Sequence, residues 1–370
     1  MNCTSMGRKL SFAAATVALL AIGTVEPATA VSLYSITELP FVPSDINDKG
    51  QIVGFQYLWD NGMLAELGFL PGSNSTQANS INNLGQVVGS SGLLGSSSTN
   101  RAFIWQDGIM SSLGTPPASI CTFCHYTTAN DINDQGQVIG DLIVPSAYPN
   151  QLGFVWANGS LTDAIAADST TSAIAINDAG NVLINGADLG RNWSAIWDNG
   201  NLTQLNRLPE LGGRFSSAKD INNADQVIGS LTLLSGVRGG IYTMLWTGDT
   251  VTELGNLFSF SANSINDSTL VVGASRSNNS TSYASLWEDG ELFDLNTLIP
   301  ADSGWELLSA SKINNKNQIV GTGKINGESR GFLLTPEAKS VPEPTSALGV
   351  LILGGFSMSF QLLRKQKHGN

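Results

Sequence analysis

The chain has 370 residues, with 40 Gly, only 13 % charged side chains and a formal net charge of −12. Abundant glycine with uncharged polar residues suits many short strands joined by tight turns and excludes a helical bundle or coiled coil. The acidic balance excludes a nucleic-acid partner, because phosphates are repelled.

At the N-terminus, Arg8-Lys9 precedes an apolar stretch from Leu10 to Val25, followed by Ala28-Thr29-Ala30. A basic start, an apolar core and a small-x-small site are the parts of a secretory signal peptide. Residues 1–30 are therefore expected to be removed, and the stretch is short for a retained anchor. Residues 31–338 are expected to form the folded domain.

One phrase recurs seven times in that domain: Ile-Asn, a turn, then a short apolar run ending mostly in Gly. It begins at Ile46, Ile81, Ile132, Ile176, Ile221, Ile265 and Ile313, at intervals of 35, 51, 44, 45, 44 and 48. The fourth copy, Ile176-Asn177 to Gly186, is the loosest. A period in this range is that of propeller blades or solenoid coils. After the Gly, most copies carry a Trp: Trp59, Trp105, Trp156, Trp197, Trp246 and Trp287. Asn-Gly or Asp-Gly follows the Trp in five copies (from Asn61-Gly62 to Asp289-Gly290), the strongest short-range signal for a hairpin. Beyond it, apolar pairs such as Leu64 and Leu67, or Leu202 and Leu205, close the unit.

Each repeat thus predicts four short strands, which cannot bury their own faces and must stack on neighbours. The fold expected is an all-β, seven-bladed β-propeller. The seventh copy stops after its third strand, at Gly331-Phe332-Leu333-Leu334, while Ile36-Thr37-Glu38-Leu39 matches the fourth strand Val251-Thr252-Glu253-Leu254. The N-terminal segment is therefore expected to complete the last blade and hide its edge. Only five residues separate Gly54 from Trp59, so the middle hairpin of the first copy is expected to be degenerate.

The recurring Asn reads as turn chemistry, its side chain bonding the backbone two residues on. Asp45-Ile46-Asn47-Asp48-Lys49-Gly50 resembles the start of a Ca²⁺ loop, but the fifth position is rarely acidic and no distal Glu follows, so no metal site is expected. The Trp series reads as interblade core.

Cys121-Thr122-Phe123-Cys124-His125 lies in a long connector. In an exported chain a local Cys121–Cys124 disulfide is the favoured reading. Cys-x-x-Cys-His is also the haem c attachment pattern, and free or metal-bound thiols stay open too. His368 is the only other His, so a second haem ligand from the domain is lacking and no cofactor is expected.

At the C-terminus a linker, 339–346, contains Val341-Pro342-Glu343-Pro344. An uncharged apolar span of 17 residues, 347–363, reads as a transmembrane helix, and the tail 364–370 carries Arg364, Lys365 and Lys367 as its cytoplasmic stop. Without the two ends, thirteen bases face twenty-eight acids, a formal net of −15. Neutral glycans, cations or basic partners remain open.

The repeated Ile-Asn-x-x-Gly-Gln-Val-Val-Gly, followed by Ala-Phe-Ile-Trp and Asp-Gly, resembles the HAF family of extracellular repeats over nearly all of residues 33–336. The His of that family's His-Ala-Phe triplet is absent here, as in Arg101-Ala102-Phe103, and the resemblance carries no catalytic activity. The tail from Val341 to Lys367 is similar to the PEP-CTERM sorting signal. That resemblance implies export, recognition of the Pro-Glu-Pro segment by a membrane-embedded exosortase, and an association with exopolysaccharide.

No nucleophile elbow, phosphate loop or His-Glu-x-x-His motif occurs. Recurring acids such as Asp131 and Asp220 leave paired-carboxylate chemistry open. The sequence therefore points to an exported, envelope-associated binding or matrix protein, with a polysaccharide-processing enzyme on the same scaffold as the alternative.

Overall fold

A computed structural model describes residues 33–337, apart from 115–125, 144–150, 166–169, 189–190, 207, 209–212, 234–238, 257–258 and 278–280. These residues form seven four-stranded antiparallel sheets arranged as blades. Blade two is representative: Ser75–Ile81 is innermost, followed outward by Val87–Leu93, Ser96–Gln106 and Ile109–Ser112. The Ile-Asn phrase ends each inner strand, and the predicted four-strand division of the repeat holds in every blade.

The turn chemistry explains the outer hairpins. Asn61, Asp107, Asn158, Asn199 and Asp289 adopt φ of 46 to 53°, and the glycines that follow adopt 82 to 92°. Two consecutive positive φ values match the twist of a two-residue hairpin.

The Gly that closes the repeated phrase, inside the second strand of most blades, has a different cause. Its φ is ordinary, but the inner strand bulges opposite it, as between Ala78 and Ser80. A Cβ on Gly89 would sit 2.0 Å from the Gln77 carbonyl oxygen, and one on Gly140 equally close to that of Thr128. Blade four departs from the sequence reading. The residue opposite Ala173, where the other blades place Gly, is Ile184, two positions before Gly186. Gly186 instead lies under the Trp193 ring.

Apolar clusters fill the wedges between successive blades, and each holds one of the seven Ile residues. The Trp series belongs to this core, with Trp246 only 1 % exposed and donating its indole N–H to the Asn206 carbonyl. Leu334 replaces Trp in blade seven and is fully buried. Of each outer-strand pair, the second member (Leu67, Leu205, Leu254, Leu295) is buried, while Leu64, Leu202 and Leu292 are exposed.

Ring closure follows the expected route. Blade seven comprises Trp305–Ile313, Ile319–Ile325 and Glu328–Pro336, and Tyr34–Leu39 pairs antiparallel with the last of these as its outermost strand. From there a strap, Pro40 to Pro43, crosses to blade one. It presses on Gly54 and Gly331, where a Cβ would meet the Val42 and Phe41 carbonyl oxygens at 2.3 and 2.1 Å.

Blade one is truncated, as its short spacing predicted. Its middle strands, Ile52–Gly54 and Tyr57–Asp60, have three and four residues against seven and eleven in blade two. The intervening turn holds Phe55 at φ 52°, a conformation that costs a bulky residue about 1–3 kcal/mol.

Among the described residues no helix is long and apolar enough to cross a membrane. The signal peptide, the Cys121–Cys124 pair with His125, the motif Val341 to Pro344, the span 347–363 and the stop residues Arg364, Lys365 and Lys367 lie outside the described residues.

Candidate functional site

The seven inner strands deliver seven Ile-Asn-Asx triplets to one mouth of the central channel, around a cavity of about 170 Å³. Each Asn is buried and works twice. Its Oδ1 accepts from the backbone N–H four residues on, at 2.8 to 3.0 Å, which closes the local turn. Its Nδ2 donates to the carbonyl of the same Asn in the next blade, at 2.9 to 3.2 Å. The seventh such bond, Asn314 to Asn47, joins the last blade to the first and completes a circle.

The residue after each Asn forms a second circle. In order these are Asp48, Asn83, Asp134, Asp178, Asn223, Asp267 and Asn315. The backbone N–H of each donates to the side-chain Oδ1 of its successor, at 2.7 to 3.0 Å, and Asn315 returns to Asp48. The three Asn side chains also each bridge two flanking carboxylates. Asp134 and Asp178 are neighbours with no Asn between them. The mouth thus presents four carboxylates, while its backbone donors are spent inside the ring.

A partner exchange reinforces the circle where the repeat varies. In five blades the Asn Nδ2 also reaches a Gln four residues on. Blades four and six lack that Gln. Their Asn177 and Asn266 instead donate to Asp225 and Asn317 of the following blade, which stand at positive φ where four other copies have Gly and one has Thr269.

One residue before each Ile lies a third layer: Asp45, Ser80, Asp131, Ala175, Asp220, Ser264 and Lys312. Asp45 accepts from the Ile81 N–H, Asp131 from Ile176 and Asp220 from Ile265, so each carboxylate of an odd blade ties down the backbone of the next. Lys312 Nζ lies 3.6 Å from Asp220 Oδ2, with its side chain 29 % exposed. Burial pulls the Lys312 ammonium down, but Asp220, Asp45 and Asp131 more than reverse this and hold its pKa above the ordinary lysine value.

Ser80 Oγ lies 2.8 Å from Asp45 Oδ2 and 2.6 Å from Asp131 Oδ1. A hydroxyl has one proton to give, so bonding both carboxyl groups requires one of them to be protonated. Asp131 is the group placed to hold it. Burial, assisted by the Asp45 charge and opposed by Lys312, pushes its pKa up to about 6. Burial raises Asp45 as well, against the pull of Lys312 and its hydrogen bonds.

A carboxyl whose pKa is higher folded than unfolded binds its proton more tightly in the native state. That stabilisation is fully present below about pH 4 and is lost as pH rises through about 6. The melting temperature should therefore rise on acidification from about pH 7 to about pH 5, the Asp131 share being roughly 1 kcal/mol. Asp131→Asn, which donates to Ser80 at every pH, should be at least as stable as wild type at neutrality and should flatten this dependence. Differential scanning calorimetry across that range tests it; an unaltered slope in the variant would discard the shared proton.

The turn role assigned to the Asn residues is present in every blade. Their interblade role was missed, as were Ser80 and Lys312, and Asp45 was read only as the start of a Ca²⁺-loop-like segment. The signal for the third layer was available in the column before Ile, which holds charged residues in four of seven copies. Asp131 and Asp220, noted as recurring acids, do share one layer, yet both are absorbed in backbone and side-chain bonds, and neither lines the mouth cavity.

No protein-family model matches the chain, and no curated protein matches it. Among solved structures it is similar to the β-propeller domain of the trilobed protease from Pyrococcus furiosus, at 13 % identity over 71 % of this chain and 85 % of that one, with a TM-score of 0.48. It is similar to Trypanosoma rangeli sialidase, at 10 % identity over 81 % and 59 %, with a TM-score of 0.40. TolB from Acinetobacter baumannii gives 10 % identity over 70 % and 62 %, with a TM-score of 0.42. The chain spans about three fifths of the sialidase and TolB chains. Likeness at this level carries no chemistry.

Proposed function

We propose that the protein is an exported, cell-envelope-associated binding or matrix protein, delivered by its signal peptide and processed by an exosortase at Val341 to Pro344. The observation that carries the binding reading is the fate of the channel carboxylates. Asp45, Asp131 and Asp220 each hold backbone N–H groups of a neighbouring blade, so the channel acts as a hub that fastens the blades and leaves recognition to the outer surfaces. Export follows from the two terminal segments, whose order matches a precursor held transiently in the inner membrane and then cut.

Epitope tags at each end, followed by fractionation in a host containing the exosortase, test this reading. The N-terminal domain should reach the envelope or medium without Arg364-Lys365. A cytoplasmic mature protein, or normal sorting of a Pro342→Ala/Pro344→Ala variant, would reject it.

The alternative is a polysaccharide-processing enzyme, favoured by the raised pKa of Asp131 beside a second carboxyl. It requires release of new reducing ends from a polysaccharide by wild type and loss of that activity in Asp131→Asn.

A further inference from the structure

The seam where the ring closes holds a cavity of about 400 Å³, within the range of small-ligand sites, and larger than the channel mouth. It exists because blade one is truncated: where blade two raises a long middle hairpin, blade one turns back at Phe55. The walls are Phe55 and Tyr57 of blade one, Phe41 and Val42 of the strap, and Glu38 and Arg330 of blade seven.

Two independent features mark this cavity as a binding site. Phe55 is held at φ 52°, where Gly or Asn is unstrained, and the residue is still 50 % exposed. The hairpin turn and the bond from the Ala78 N–H to the Phe55 carbonyl account for this backbone, but neither calls for a bulky, half-exposed side chain there. Next to it the Phe41 and Tyr57 rings stack, with centroids 5.9 Å apart and planes inclined by 20°. The Tyr57 hydroxyl accepts from Gln56, which orients the ring.

The polar rim narrows the ligand class. Arg330 Nε donates to Glu38 Oε1 at 3.1 Å, both side chains being nearly half exposed, and Glu328 lies 3.9 Å from the same guanidinium. The lining itself holds one cation and one carboxylate, already paired, with Glu328 just outside, so no free positive charge is left to draw an anionic ligand. A lipid or wholly apolar molecule would strip water from the ion pair without replacing its bonds. A neutral ligand with an apolar face and several hydroxyls satisfies both parts. The C–H face of a pyranose packs on the negative face of an aromatic ring, and its hydroxyls both donate and accept at the Glu38–Arg330 pair.

We propose that this seam cavity binds neutral hexopyranose oligosaccharides, with Tyr57 and Phe55 as the stacking residues. The inference rests on the reading of the protein as a binding propeller, and supplies it with a ligand class and a location. The purified domain should bind members of a panel of neutral gluco-, manno- and galacto-oligosaccharides, followed by glycan array and calorimetry. Tyr57→Ala should lower the affinity at least tenfold. Phe55→Gly should lower it similarly while the melting temperature stays the same or rises, since the variant relieves the turn. That combination separates a ligand contact from a structural residue. The assignment is overturned by no binding across the panel, by affinity that Phe55→Gly retains, or by preference for acidic glycans or a proline-rich peptide. Fractionation, which tests the envelope reading, is unaffected by any of these results.

Discussion

Replacing Lys312 with Met should destabilise the propeller by roughly 3–5 kcal/mol at neutral pH, a large share of the stability of an ordinary domain. Lys312 contacts Asp220 and is the positive charge that stabilises the ionised forms of Asp45 and Asp131. Met preserves much of the volume and removes only the charge. Three inward carboxyl groups would then face one another in a region poor in water, and burying an uncompensated charge is among the most destabilising changes known. Two controls give the result its meaning. The deficit should shrink on acidification to about pH 5, because protonation supplies the neutralisation that Lys312 had provided. Lys312→Met/Asp220→Asn should recover part of the loss, since it removes one of the stranded charges. Urea midpoints at the two pH values decide the matter, and a deficit that acid does not narrow would mean that Lys312 serves packing alone.

Deleting Leu33 to Pro40 should abolish cooperative folding or leave an aggregating species. Leu39 is fully buried and Tyr34 nearly so, and these two side chains alone account for roughly 3–6 kcal/mol of burial. The deletion also strips the partner from Glu328–Pro336, exposing a long strand edge that invites pairing with other chains. The loss extends further, because the Leu33 and Tyr34 N–H groups both donate to the Leu298 carbonyl beside the short 3-10 turn Leu295–Thr297. A synthetic peptide spanning residues 33–40 should restore monomeric, two-state melting when added in trans. A truncated protein that melts like the full domain would show that the ring does not depend on this strand.

Much of this fold was legible because its signals are local. Asn61-Gly62 specifies a hairpin from its own backbone preferences, and the match between Ile36–Leu39 and Val251–Leu254 reveals a displaced strand by composition alone. The seam cavity was half legible: the short interval from Gly54 to Trp59 announces a truncated hairpin, but the strap that stacks Phe41 on Tyr57 is a tertiary arrangement. The two rings at the channel were hidden for a related reason. Asn47 looks complete as a turn residue, since its Oδ1 has local work, and nothing nearby shows that its amide reaches Asn82. The Gly186 misalignment has a simple origin as well. Glycine was taken as the mark of the strand end, whereas the mark is the bulge opposite it, which Ile184 tolerates in blade four.

The two rings at the mouth have a property that the layer beneath them lacks. Each blade gives to its successor and receives from its predecessor through the same Asn amide, backbone N–H and Asx oxygen, so a copied blade would repeat the bonds common to all seven. Those circles cannot count. The third layer can, because it works in pairs, an acid followed by a small residue, and an odd number of blades leaves one position without a mate. Lys312 occupies that position. The layer therefore records how many acidic blades the ring holds, and a duplication that copied one of them would have to resolve a surplus charge before it could close.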